Sequence, residues 1–377
     1  MSVADTPHPL SPISEPLLAL APGRLSNYRH LRYVGDDFSV DLAALAARDQ
    51  VLVRSLYEAL TELLYAIADT ATDDAQKWQA ILLWTKRHDL DRFIDEVREI
   101  GLASHVQGSS EELSKAMHDV RGGALSALLG RLQILGYSPP REGQLKPLFV
   151  LTRDHLKIMR NTLVGLDDPR RDADRTPKAH AMRLMLEKWH ESVVGPQWGE
   201  RSVQMFIDCR YEGPLTECCL ESAAVDRIFY NLAANACRYA VGDRLEMAVF
   251  PLLESPGGCL RFVLSNEVSA KDAARLSSMI QTKESADPGQ ARPQNLSALF
   301  EAEVSSTGSG FGLTVVADFV VGAFGLRDRA EALSERYVGA ILDGHTFRVW
   351  FHWPMAHGGL PEKLDDYRRP GQSLSEA

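Results

Sequence analysis

The sequence predicts a multidomain chain that is helical through its first half and of mixed α+β structure through its second. Three observations predict this. Apolar residues return every three or four positions from about Val40 to Leu166, which is the period of amphipathic helices. Beyond about residue 178, short strand-like runs alternate with helical ones. Between the two regions lies DDPRRDADRTPK, residues 167 to 178, a charged, Pro-bearing and aperiodic stretch that reads as a boundary or hinge. At 377 residues the chain is long enough for two or three domains.

In chain order, residues 1–26 are rich in Pro and Ser and read as a flexible lead-in, followed by a helical module over 27–106 that could serve as sensor or input. Residues 107–170 carry two helices, about Ser110 to Gly136 and Gln144 to Leu166, joined by a Pro-containing turn into an antiparallel hairpin. Residues 171–356 form the α+β domain. Its expected helices span about His180 to Val194, Ala223 to Ala240 and Phe311 to Gly325. Its expected strands span about Val203 to Asp208, Leu245 to Leu252, Leu260 to Ser265, Tyr337 to Leu342 and Thr346 to Trp353. A long polar stretch precedes Gly308, and a polar tail occupies 357–377.

Composition excludes several classes. Apolar residues make up 45% and charged residues 24%, the balance of a water-soluble globular protein. A formal net charge of -10 argues against sequence-independent binding of nucleic acid. No apolar run approaches the roughly 18 to 20 residues that a membrane span needs. The start, MSVADTPHPLSPISEP, has no basic segment followed by an apolar one, so a cytoplasmic protein is expected. The cysteines Cys209, Cys218, Cys219, Cys237 and Cys259 are odd in number and lack C-x-x-C spacing, which suggests buried thiols rather than disulfides or zinc.

In the first helix of the hairpin, Met117, Ala124, Leu128 and Leu135 point within about 20° of one another at 100° per residue. Leu145, Leu148, Leu156 and Leu163 would complete the seam from the second helix. One hairpin has little core of its own, so the seam is expected to pair with a second copy in a dimeric four-helix bundle. His118 lies about 100° around from the seam, at its edge. Asp119 follows it and can fix the ring tautomer and accept the ring proton, which suits an imidazole nucleophile and its base. Gly122 and Gly123 sit mid-helix, each at a cost of about 1 kcal/mol relative to Ala; local bending beside His118 would offset it.

In ESAAVDRIFYNLAANACRYA, Asn231 and Asn235 stand one turn apart with Arg227 and Arg238 on the same stripe. Asn is a poor helix former, and its amide oxygen is a suitable ligand for magnesium bridging phosphates, which the arginines can face. Gly308, Gly310 and Gly312 precede the next helix and leave backbone N–H groups free to approach phosphate oxygens. The G-x-G-x-G spacing differs from a dinucleotide fingerprint.

Taken in order, HDVRGGALSALL, NLAANACRY, GSGFGL and DGHTFRVWFHWP resemble the H-box, N-box, second glycine box and closing strand pair of two-component sensor histidine kinases, over roughly residues 110 to 356. The resemblance implies a C-terminal α/β sandwich of the Bergerat (GHKL) type behind a dimeric phosphoacceptor hairpin. It implies ATP and magnesium as cofactors, with Asn235 as metal ligand and Asn231 its helper. Arg238 falls near the phosphates, Tyr239 near adenine, Thr346 in the nucleotide pocket, and Leu313 at the end of the glycine box. Phe300 resembles a lid phenylalanine, with the lid between about Glu267 and Thr307. His118 would take the γ-phosphoryl group and pass it to an aspartate of a response-regulator receiver domain.

Two positions depart from that pattern. Where the family offers an Asp followed by glycines to adenine, this chain has Asn266-Glu267-Val268, which implies weak ATP binding. Where relatives carry a Thr or Asn that assists dephosphorylation of the partner, one turn after the histidine, it has Gly122. The alternatives are an ATP-independent phosphotransfer or scaffold protein, and an ATPase or protein-serine kinase that shares the nucleotide fold.

Overall fold

The computed structural model describes residues 39–69, 72–108, 110–135, 145–194, 203–252, 258–278, 294–300 and 312–356. The N-terminal module opens with a two-residue strand, β1 (Val40–Asp41), and continues through helices α1 (Ala47–Ala68), α2 (Asp74–Arg87), α3 (Leu90–Glu99) and α4 (Leu102–Val106). Its chain reversals are fixed by carboxylates. Asp73 accepts from Gln76 N at 2.8 Å to cap α2. The fully buried Asp49 accepts from Gly101 N at 3.0 Å and from Ser104 N at 2.7 Å, binding the start of α4 to α1.

The hairpin's first helix is broken in two, α5 (Glu111–Arg121) and α6 (Gly123–Leu135), and its second is α7 (Leu145–Thr162). The break falls at Gly122, whose extended backbone (φ −98°, ψ −162°) leaves the helix. A Cβ there would lie 2.8 Å from the His118 carbonyl oxygen. The mid-helix glycine therefore permits a close approach four residues after His118, as the expected bending requires.

The seam does not await a second copy. Met117, Ala124, Leu128, Leu148, Leu156 and Leu163 are buried within this one chain, and Leu135 and Leu145 are half-buried. Helix α1 lies against α7 and buries Val53, Leu56, Leu60, Leu63 and Ile67, while β1 pairs in parallel with β2 (Leu163–Val164). The outward face of α1 carries exposed Arg48, Arg54, Glu58 and Glu62. The homodimer was expected because the seam was read as open; α1 removes that reason by closing it.

The segment read as an aperiodic hinge is a short helix, α8 (Asp168–Asp174). Seven residues are too few to show a period, and its start is set by Asp167, which accepts from Arg170 N at 3.3 Å. It is tied back on both sides. Tyr57 Oη donates to Asp167 at 2.7 Å, Arg170 donates to Tyr65 Oη at 2.5 Å, and Arg160 forks onto Asp174 Oδ2 at 2.7 and 2.9 Å.

The helix expected from His180 to Val194 is shorter than its pattern. Strand β3 (Pro177–Ala181) pairs with β6 (Pro214–Cys218), α9 covers only Met182–Trp189, and Glu191 at φ 57° turns the chain into β4 (Val193–Val194). The remaining strands are β5 (Val203–Cys209), β7 (Arg244–Leu252), β8 (Cys259–Glu267), β9 (Gln294–Asn295), β10 (Val338–Asp343) and β11 (Thr346–Pro354). Among the described residues they form one sheet in the order β4-β5-β7-β8-β11-β10-β9, parallel only between β5 and β7. Helices α10 (Cys219–Tyr239) and α12 (Gly312–Phe324) pack side by side on one face, with α11 (Ala270–Ser278) and α13 (Arg329–Ser334) at the periphery.

Under α10, Phe229 meets Phe262 and Phe351 edge-on, and those two rings stack 4.5 Å apart. On the other face, the register partners Arg261 and His352 are fully buried, with Arg261 Nε donating to His352 Nε2 at 2.9 Å. The apolar core runs without a gap from Leu42 through the hairpin to Met355, across the boundaries drawn from pattern at 106/107 and 170/171.

Candidate functional site

Helix α10 is the spine on which the predicted residues assemble. It starts where Cys218 N donates to Glu221 at 2.8 Å, and it presents Arg227, Asn231 and Asn235 at four-residue intervals. Its first part faces the hairpin. Asp119 is buried on α5, takes Arg227 as ion-pair partner through Oδ2, and lies 3.2 Å from His118 Nδ1 through Oδ1. Burial alone would raise the Asp119 pKa, but the Arg227 charge and the His118 hydrogen bond hold it below the usual carboxylate range. An ionised carboxylate only accepts, so a ring proton on Nδ1 would meet it and leave the lone pair on Nε2. The His118 side chain is 22% exposed, reachable but supported, as its position at the seam edge predicts.

The sequence reading aimed Arg227 at phosphates. In the structure it is turned away toward Asp119 and stacked 4.5 Å from the centre of the Phe319 ring. Behind it, His155 on α7 is fully buried beside Asp119 and the Val120 backbone, and burial lowers its pKa to about 3.

One and two turns further along, Asn231 and Asn235 meet the start of α12. A Cβ on Gly312 would lie 3.0 Å from Asn235 Nδ2, 3.5 Å from Asn231 Oδ1 and 3.6 Å from Asn235 Oδ1. A larger residue there would push the Asn235 amide aside, so the N-terminus of α12 and both amides share one cradle, with Leu313 half-buried beside it. Asn231 Nδ2 donates to the Arg227 carbonyl at 2.9 Å, which leaves its oxygen toward the cradle. Amide oxygens next to a helix N-terminus suit phosphates and a hard divalent cation, so the residues present fit ATP with magnesium. Gly308 and Gly310 lie outside the described residues.

The far end of α10 reaches the end of β8. Val241 N donates to the Glu267 carbonyl at 2.9 Å, and Ala240 bridges Val268. Arg238 is exposed and Tyr239 half-buried at this end. Asn266 is 5% exposed and registers with Phe347, while its neighbour Glu267 registers with Thr346. The predicted pair Asn266 and Thr346 is thus brought together, but both are engaged locally. Asn266 Nδ2 donates to the Glu267 carbonyl at 3.3 Å, and Thr346 Oγ1 donates to the Glu267 carboxylate at 2.6 Å.

Most of the expected lid, residues 279–293 and 301–307, lies outside the described residues. Phe300 is fully buried in a 3-10 turn (Ser297–Phe300), and its carbonyl accepts from Thr314 Oγ1 at 3.2 Å, which ties it to α12. The stretch from Glu267 to Thr307 also contains α11 and β9, which its polar composition hid because only Ala273 of α11 is buried.

Two ion clusters that sequence reasoning missed fasten the hairpin to the α+β domain. Asp318 on α12 takes Lys115 at 2.6 Å and Arg329 at 2.5 Å, and Arg329 also reaches Glu111 at 2.8 Å. Lys188 is buried between Asp154 on α7 and Asp226 on α10, the latter at 2.9 Å, and Arg153 forks onto Asp154 at 2.8 and 3.0 Å. Burial opposes ionisation of Asp154, yet Lys188 and Arg153 hold its pKa down to about 2. Burial raises that of Asp226. The spacing of Glu111 and Lys115 is that of a helical surface pair; nothing local points to partners 34 to 218 residues away.

No protein-family model matches the chain, and no curated protein does. Among solved structures, full-length ShkA in complex with AMPPNP is similar at 17% identity and a TM-score of 0.29, the match covering 62% of this chain and 44% of that one. The histidine kinase AdeS of Acinetobacter baumannii is similar at 15% identity and a TM-score of 0.28, covering 63% of this chain and 98% of that one. The chain therefore spans less than half the length of the first neighbour. Neighbours this remote leave the chemistry to be argued from the residues. Among the described residues, no helix is long and apolar enough to cross a membrane.

Proposed function

We propose that this chain is an ATP-dependent protein-histidine kinase of the two-component type, cytoplasmic, with His118 as the residue it phosphorylates and a response-regulator receiver domain as its partner. The observation that carries this reading is the contact line His118, Asp119, Arg227, Asn231, Asn235, Gly312, which runs from α5 along α10 to the start of α12 and would join a nucleophile to a phosphate cradle. Arg227 and Asn235 are eight residues apart, or about 12 Å at 1.5 Å per residue, so the cradle lies about that far along α10 from the Arg227–Asp119 pair.

His118 Nε2 would attack the γ-phosphorus in line as the bond to the ADP oxygen breaks, and the Nδ1 proton would pass to Asp119. Asn235, helped by Asn231, would hold the magnesium ion, which neutralises phosphate charge when bound. Gly308, Gly310, Gly312 and Leu313 would cradle the phosphates. Arg238 and Tyr239 would border the nucleotide, and Asn266 and Thr346 its base. The receiver aspartate would then take the phosphoryl group from His118.

A second reading has its own observation. Because Asn266 and Thr346 both bond to Glu267, the base end is satisfied without a nucleotide, as in an ATP-independent phosphotransfer protein. The two readings separate on incubation with γ-labelled ATP and magnesium beside His118→Ala and Asn235→Ala. Alkali-stable, acid-labile label, lost in both variants, is expected. Absence of label together with absence of ATP binding would leave the phosphotransfer reading.

A further inference from the structure

Arg227 stands where the two halves of the proposed reaction meet. Its side chain is 6% exposed and pairs with Asp119, its guanidinium lies on Phe319, and its carbonyl is held by Asn231. Its Nε is buried without a hydrogen-bond partner among the described residues. A cation so desolvated is costly, and its one carboxylate partner among the described residues is Asp119, beside His118.

We propose that Arg227 is a positioning residue for phosphoryl transfer: it keeps Asp119 an ionised, fixed acceptor, so that His118 carries its proton on Nδ1 and presents a bare Nε2. The chemistry follows from donor and acceptor inventory. Asp119 is buried, and without a cation beside it the carboxyl would take up a proton and become a donor toward Nδ1. The ring proton would then move to Nε2 and occupy the lone pair that must attack phosphorus. Lysine could supply the charge but not the flat contact with Phe319, so it should substitute only in part. The consequence for rate rests on the kinase reading; the tautomer itself does not.

The test is a long-range proton–nitrogen spectrum of the full chain with ring-labelled histidine, without nucleotide, for wild type, Arg227→Gln and Arg227→Lys, with His118→Gln to assign the resonance. Wild type should show protonated Nδ1 at His118, Arg227→Gln protonated Nε2, and Arg227→Lys the wild-type tautomer. In the labelling reaction Arg227→Gln should be slower by about 100-fold at unchanged nucleotide affinity. A wild-type ring protonated at Nε2, or Arg227→Gln that keeps Nδ1–H, would overturn the proposal. If Arg227→Gln does not fold, Asp119→Asn removes the charge at constant shape and must no longer hold the wild-type tautomer; retention there would overturn it too. Should wild type show the expected tautomer but take no label from ATP, the kinase reading fails and this one stands.

Discussion

The two ends of α10 differ in how they are finished. At the hairpin end, every element is fastened by charge: Asp119 to Arg227, Lys115 and Arg329 to Asp318, Lys188 to Asp154 and Asp226. At the base end, Asn266 and Thr346 turn inward to Glu267, and no described ion pair crosses from α10 to β8. The lesson is that a motif series can be complete in order while its parts differ in readiness. On the proposed reading the histidine and phosphate half is held in register, whereas the base half would give up internal hydrogen bonds to hold a ligand.

The largest expected effect is at the buried fastening. Lys188→Met leaves Asp154 and Asp226 facing each other without their shared cation, and should cost about 3 to 5 kcal/mol. Urea unfolding at neutral pH measures it, and a loss below about 1 kcal/mol would show the hairpin to be held by apolar packing alone. Next comes pH. His155 at the hairpin end and His352 in the sheet both have pKa values lowered to about 3, by burial and, for His352, by Arg261 as well. The unfolded chain takes up protons that the folded chain refuses. Stability should therefore be level above about pH 6.5 and fall toward pH 3, by about 1.4 kcal/mol per histidine at pH 5.5. His155→Gln should remove half of that loss, and an undiminished slope would place it elsewhere.

The smallest effect is at the base end. Glu267→Ala frees Thr346 while leaving the main-chain carbonyl to which Asn266 donates, and should tighten magnesium-nucleotide binding by roughly 5-fold, since a net hydrogen bond is worth about 1 kcal/mol. Titration calorimetry decides it; weaker binding would mean that Glu267 itself serves the ligand.

Much of this was legible in the sequence because it is local. The strands at Leu245, Leu260, Tyr337 and Thr346 and the helix at Leu313 announce themselves by period and composition, and the structure sets them within one or two residues, while the helix around Asn231 begins four residues earlier than expected, at Cys219. Helical spacing puts Asn231 and Asn235 on one stripe of α10, but that Gly312 would meet them could not be read from it. What escaped was long-range. No pattern in ESAAVDRIFYNL tells that Asp226 meets Lys188 while Arg227 meets Asp119, and no period separates a helix that pairs with a second copy from one already covered by α1. The burial of Phe300 escaped for the same reason, since a phenylalanine in a polar stretch looks exposed until α12 is laid over it.

Helix α1 has one more consequence. By occupying the groove beside α7 it makes the N-terminal module a structural member of the machine and not an interchangeable cassette. A chain cut at residue 107 would lay bare Leu148, Leu156 and Leu163 to solvent, and a foreign module grafted at that point would have to reproduce the whole contact face of Val53, Leu56, Leu60 and Leu63.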